Sequence, residues 1–110
     1  MNELKTIWKA IDDKFGKDTV ILDMRKITPM ADYFVITTGG NPNQMGAIAD
    51  NVESELLKQG VKMLHQEGTG SSWILMDFGN IIVHVFDNEF REFYDLERLW
   101  ADASKLDISS

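Results

Sequence analysis

The chain has 110 residues, 44% hydrophobic and 26% charged, with 8 glycines, 2 prolines, no cysteine and a formal net charge of -7. That composition fits one small soluble domain and excludes disulfides, thiolate metal sites and thiol nucleophiles. The acidic balance, 18 Asp and Glu against 11 Lys and Arg, argues against a protein whose main task is wrapping nucleic acid, and leaves a basic protein partner open.

Met1 to Lys14 mix charges with apolar residues at helical spacing, unlike a secretory leader, and no run approaches the roughly 18 apolar residues of a membrane span, so a cytoplasmic protein is expected. Asn2 is placed to cap a first helix in which Leu4, Ile7, Trp8, Ile11 and Phe15 share one face, with Gly16 as its stop. Thr19 to Met24 reads as a strand, Arg25 to Ala31 as a loop, and Asp32 to Thr38 as a second strand broken by Gly39-Gly40. Asn41-Pro42-Asn43-Gln44 is a helix start: Asn41 at the cap, Pro42 where a missing N–H costs nothing, and Gln44 placed for a capping-box exchange. The helix carries Met45, Ile48, Ala49, Val52 and Leu56 on one stripe and stops at Gly60. A third strand, Val61 to Gln66, completes a crossover expected to be right-handed, with strands two and three parallel.

Two more strands, Trp73 to Phe78 and Ile81 to Phe86, flank Gly79-Asn80, a dipeptide suited to a tight primed turn. The turn sets the register: Phe78 faces Ile81, Asp77 faces Ile82, Met76 faces Val83, Leu75 faces His84, Ile74 faces Val85 and Trp73 faces Phe86. One face then holds Ile74, Met76, Ile81, Val83 and Val85, an aliphatic surface for the helices. The other holds Trp73, Leu75, Asp77, Ile82, His84 and Phe86, and is expected to meet a helix edge or a partner. Asn88 can cap a terminal helical region whose Phe90, Phe93, Tyr94, Leu96, Leu99, Trp100 and Ala103 are too many for one stripe. A break near Asp95, itself able to cap, would let its two parts face differently, and the chain from Ser104 reads as frayed.

Chemistry is sparse. His65 and His84 fall on different strands with no third ligand at metal spacing, so no metal site is expected. His84 either meets Asp77 diagonally across the hairpin as an oriented imidazole–carboxylate pair or is a satisfied, half-buried histidine. Ser71 and Ser72 lie beside glycines but in no nucleophile-elbow context. Gly39-Gly40 ahead of a helix start is either an anion seat or a hinge that lets the chain turn into its cap. A nucleotidyltransferase would need closely spaced carboxylates there for magnesium, whereas Asp50 and Glu53 lie beyond the first turn and no Asp-x-Asp pair follows. The small-residue loop Glu67 to Ser72 leads to Trp73, which with Phe78 and Tyr94 forms either an interface anchor set or core packing.

Asp32-Tyr33-Phe34-Val35-Ile36, Ala47-Ile48-Ala49-Asp50, Glu67-Gly68, Trp73 to Asn80, Val83-His84-Val85-Phe86 and Arg91 to Trp100, in that order, resemble the signature of the ribosomal silencing factor family, also called RsfS or Iojap. The resemblance spans about Asp18 to Ala103. It implies a single α/β domain with a mixed five-stranded sheet and flanking helices, resembling nucleotidyltransferases without their catalytic carboxylates. It further implies a translational repressor that is no enzyme and has no cofactor. Such a protein binds the large ribosomal subunit through the fourteenth large-subunit ribosomal protein and sterically blocks the small subunit. A homodimer when free, no membrane partner and no direct sequence-specific nucleic-acid binding belong to the same expectation. By the same resemblance Trp73, Phe78 and Tyr94 match partner-contacting positions, with an aliphatic residue also used at Phe78. Glu67, Asp77, Arg91 and Glu97 are the charged positions next expected to contact the basic ribosomal surface, and Asn43 stands where many relatives carry a basic residue. The alternative is a nucleotide-binding or cryptic nucleotidyltransferase-like protein using Gly39-Gly40.

Overall fold

The computed structural model describes residues 2–95, 98 and 100–106. In chain order the elements are α1 (Asn2–Asp13), β1 (Lys17–Asp23), β2 (Tyr33–Thr38), α2 (Pro42–Lys58), β3 (His65–Glu67), β4 (Trp73–Asp77), β5 (Ile81–Phe86), α3 (Asn88–Tyr94) and β6 (Ser104–Leu106). The strands form one mixed sheet in the order β3-β4-β5-β2-β1-β6. Every neighbouring pair is antiparallel except β2 and β5.

The sheet has six strands rather than the five expected. Ser104 to Leu106, expected to fray, instead pairs with β1, setting Leu106 opposite Ile21. Ser-Lys-Leu has no strand signal of its own; its conformation comes from the open edge it completes. β3 starts later than expected and is not the neighbour of β2, although it runs in the same direction. The seat beside β2 goes to β5, whose side chains Ile81, Val83, His84, Val85 and Phe86 are all buried. A strand buried on both faces suits the sheet centre, and the polar triplet His65-Gln66-Glu67 suits the rim.

α1 buries Leu4, Ile7, Ala10 and Ile11 against the sheet. Its expected stop is displaced by one residue: Phe15, 79% exposed, takes the left-handed conformation at φ 64, and Gly16 N–H closes back on the Ile11 carbonyl at 3.0 Å. Gly16 is needed for close approach instead, since a Cβ there would run into the Ile11 side chain and sit 2.8 Å from Thr37 Oγ1.

α2 matches its sequence closely. Asn41 Oδ1 accepts the Gln44 N–H at 2.8 Å, and Met45, Ile48, Ala49, Val52 and Leu56 form the buried stripe. Gly60 at φ 81 ends the helix, with Val61 N–H on the Leu56 carbonyl. Gln44 has a wider reach than the capping box predicts. Its Oε1 accepts the Gly40 N–H at 2.6 Å, and its Nε2 donates to the carbonyls of Lys14 and Phe15 at 3.1 and 2.9 Å. One side chain thus satisfies the start of α2 and the end of α1. Gln44→Ala is expected to lower stability by about 1–2 kcal/mol, three partly solvated hydrogen bonds being lost, as read from the midpoint of urea unfolding at unchanged slope.

The hairpin register is the one read from the sequence, from Trp73 opposite Phe86 to Asp77 opposite Ile82. Gly79 supplies φ 95 for the turn. The core lies between the α1–α2 layer and one sheet face, where Ile21, Tyr33, Val35, Ile74, Met76, Ile81, Val83 and Val85 are buried together. On the opposite face Leu22, Met24, Ile36 and Phe86 form a second buried cluster, joined by Phe90, Trp100 and Ala103. Asp87, not Asn88, caps α3: its carboxylate accepts the Phe90 N–H at 2.8 Å, and its backbone is the one in the extended conformation a cap requires. The break at Asp95 is present, with φ 42 and the Arg98 N–H on its carboxylate at 3.3 Å. Leu96, Glu97 and Leu99 lie outside the described residues.

Candidate functional site

Strand alternation assembles a surface on the sheet face opposite α1 and α2. From the edge inward it carries His65 and Glu67 on β3, Trp73, Leu75 and Asp77 on β4, Ile82, His84 and Phe86 on β5, and Phe34 and Ile36 on β2. His84, Phe86 and Ile36 are buried, whereas Trp73, Leu75, Ile82 and Phe34 stay partly exposed. The patch is apolar at its middle and carries the carboxylates of Glu67 and Asp77 at its outer side.

Of the residues singled out from the sequence, Trp73, Glu67 and Asp77 share this face. Trp73 and Asp77 are four residues apart on one strand, about 13 Å. Phe78 lies elsewhere: it is 7% exposed and belongs to the main core, because it follows Ile74 and Met76 on the inward alternation. Leu64, 70% exposed and next to Gly79, is the apolar side chain presented at that end. Arg91 donates to Thr38 Oγ1 at 2.8 Å and to the Asp18 carbonyl at 2.7 Å, tying α3 to the ends of β1 and β2. Tyr94 closes α3; its side chain, like Glu97, lies outside the described residues.

Trp73 is held from two sides. Ahead of it the loop folds on itself, with Ser71 Oγ donating to the Gly68 carbonyl at 2.7 Å and accepting the Trp73 N–H at 3.2 Å. Gly68, at φ 84, has no room for a Cβ, which would meet the Trp73 carbonyl. Ser71 therefore serves as a loop closure and not as a nucleophile beside a base. Across the hairpin the indole packs on Phe86, centroids 5.0 Å apart, and donates its Nε1–H to His84 Nδ1 at 3.1 Å. Burial pushes the His84 imidazole down from 6.5 to about 4.

The diagonal pair of His84 with Asp77 does not form. The Asp77 carboxylate bonds the Gly79 N–H at 2.8 Å, a local closure of the turn, and His84 takes Trp73 as its partner instead. His65 pairs with Glu67 at 2.9 Å on the exposed edge. Arg25 holds the Asp23 carboxylate near 2 through two charge-assisted hydrogen bonds at 2.9 and 2.6 Å. Among the described residues no three His, Asp or Glu side chains converge to hold a metal, and no helix is long and apolar enough to cross a membrane.

The glycine pair is occupied by the protein's own groups. Gly39 N–H donates to the Phe86 carbonyl at 2.8 Å, and a Cβ at Gly39 would crowd Met45. Gly40 N–H goes to Gln44 and Gln44 N–H to Asn41, so the groups that would cradle a phosphate already have acceptors. An open concavity near α3, lined by Asp18, Thr19, Val20, Arg91, Glu92 and Asp95, carries three carboxylates, the wrong sign for a nucleotide.

A helix-backed mixed sheet whose other face is covered in part by the α3 region and in part exposed, with Glu67 and Asp77 at its outer side, is the form of a small α/β domain. A family described as ribosomal silencing factor during starvation matches residues 1–110. The ribosomal silencing factor RsfS of Bacillus subtilis is 39% identical over 106 residues, 96% of this chain and 90% of that protein. The chloroplastic Iojap protein of Zea mays is 29% identical over 100 residues, 91% of this chain and 44% of that protein. A crystal structure of a Chromobacterium violaceum protein superposes with a TM-score of 0.88 at 32% identity, covering 99% of this chain and 91% of that one. A Bacillus halodurans structure gives 0.85 at 32%, covering 97% and 98%. The chain belongs to the ribosomal silencing factor family.

Proposed function

We propose that this protein binds the large ribosomal subunit, chiefly through the fourteenth large-subunit ribosomal protein, and by its bulk keeps the small subunit from joining. The observation that carries the reading is the partly exposed apolar sheet face of Trp73, Leu75, Ile82 and Phe34 beside Glu67 and Asp77, on a chain of net charge -7. Ribosomal RNA repels such a charge, so docking selects a basic protein surface, with the field steering encounter and a few desolvated aromatics holding the complex. Trp73, Glu67 and Asp77 make the contact, joined by Tyr94 and Glu97 from the α3 region. Phe78 and Arg91 support it from within the domain. The role needs no catalysis and no cofactor, the protein acts in the cytoplasm, and the free protein is a homodimer.

The test is co-sedimentation of the purified protein with isolated large and small subunits, followed by addition of the missing subunit. Binding to the large subunit alone, with loss of joined ribosomes, is the expected result. Binding to neither subunit, or binding without loss of joining, would sink the proposal.

A further inference from the structure

His84 is 4% exposed at the centre of the open sheet face, between Leu75 on β4 and Ile36 on β2. Phe34 meets its ring edge-on at 4.9 Å and Phe86 lies parallel to it at 6.1 Å. An indole N–H can only donate, so the Trp73 bond requires a bare lone pair on His84 Nδ1 and places the ring proton on Nε2. That Nε2 is buried and has no hydrogen-bond partner among the described residues. As packing alone this is a costly choice: a leucine or phenylalanine would fill the site without burying an orphan donor. What the imidazole adds is an acceptor aimed at Trp73. The other two buried polar side chains among the described residues, Thr37 and Thr38, bond Thr19 and Arg91, away from Trp73.

We propose that His84 is a positioning residue for the docking surface: by accepting the indole N–H it holds Trp73 in one orientation against Phe86 before a partner arrives. The inference rests on the reading of Trp73 as a docking anchor. A ring already fixed in its bound orientation loses less freedom on docking, so the bond acts on affinity although His84 itself stays inside the sheet.

Two variants test it. His84→Leu removes the acceptor, whereas His84→Asn keeps an amide oxygen where the imidazole carries Nδ1. The readouts are hydrogen exchange of the Trp73 indole N–H, assigned by its loss in Trp73→Phe, and affinity for isolated large ribosomal subunits. In His84→Leu the indole is expected to exchange about tenfold faster and affinity to fall about fivefold, with both near wild type in His84→Asn. His84→Phe gives the same comparison should the Leu variant fail to fold. Unchanged indole exchange in the apolar variant overturns the proposal. So does faster exchange at unchanged affinity when Trp73→Ala does weaken binding. Unchanged affinity in Trp73→Ala overturns the reading of Trp73 as the anchor, and the positioning role with it, while the exchange data still report the bond.

Discussion

Trp73→Ala is expected to weaken binding to isolated large ribosomal subunits about thirtyfold, roughly 2 kcal/mol of docking energy. The indole is the largest side chain on the open sheet face, and its orientation is set by Phe86 beneath it, His84 beside it and the Ser71 closure before it. A partly exposed aromatic fixed in this way presents apolar area at little entropic cost, which is the property that distinguishes an anchor from a merely exposed ring. The same packing means that truncation also costs the fold on the order of 2 kcal/mol, so affinity is compared where near-ultraviolet circular dichroism shows each variant native. Trp73→Phe separates the two effects. It keeps a ring on Phe86 and loses the bond to His84, so its affinity should fall only about fivefold, while its stability should fall by about 1–2 kcal/mol because His84 Nδ1 is left buried without a donor. Wild-type affinity in Trp73→Ala would move the anchor to Leu75 and Ile82.

Much of this surface was legible in the sequence because a two-residue turn fixes register and register fixes faces. Once Gly79-Asn80 is placed, every cross-strand pair of the hairpin follows, and with it the separation of Ile74, Met76, Val83 and Val85 from Trp73, Leu75 and His84. α2 was equally legible, cap to stop, because its signals are local. What the sequence did not disclose is non-local. β6 exists through its pairing with β1, and β3 reaches the rim because β5 is the better central strand. Gln44 bonds carbonyls about thirty residues earlier, a contact no capping pattern contains.

The site divides in the same way. His84 lies opposite Leu75, so Trp73 and Asp77 are both its diagonal neighbours, and spacing alone cannot choose between them. Local chemistry chooses: Asp77 is short and closes on the N–H of Gly79, whereas the long indole reaches across with its donor to His84. The burial of Phe78 follows from alternation alone, since it shares parity with Ile74 and Met76. Family resemblance pointed outward for this residue and strand geometry points inward.

His84 also gives the protein a defined response to acid. Its imidazole is neutral when folded, with burial holding it near 4 against 6.5 for an accessible histidine. Above pH 6.5 both folded and unfolded forms are neutral and the site contributes no pH dependence. As pH falls from 6.5 the unfolded chain takes up the proton first, so stability is lost through this window at about 1.4 kcal/mol per pH unit, reaching roughly 3 kcal/mol near pH 4. Asp23 acts in a separate window: its carboxyl is held near 2 by Arg25, so its stabilisation is present above 3.8 and is lost only as pH falls towards 2. The measurement is urea unfolding of wild type and His84→Asn at matched pH values from 7.5 to 4, the difference cancelling the carboxylates common to both. Wild type should lose stability relative to the variant throughout the interval from 6.5 to 4. A constant difference would mean that the imidazole takes up its proton inside the folded sheet as readily as outside it, and the burial that holds the Trp73 bond would then not be what sets its charge.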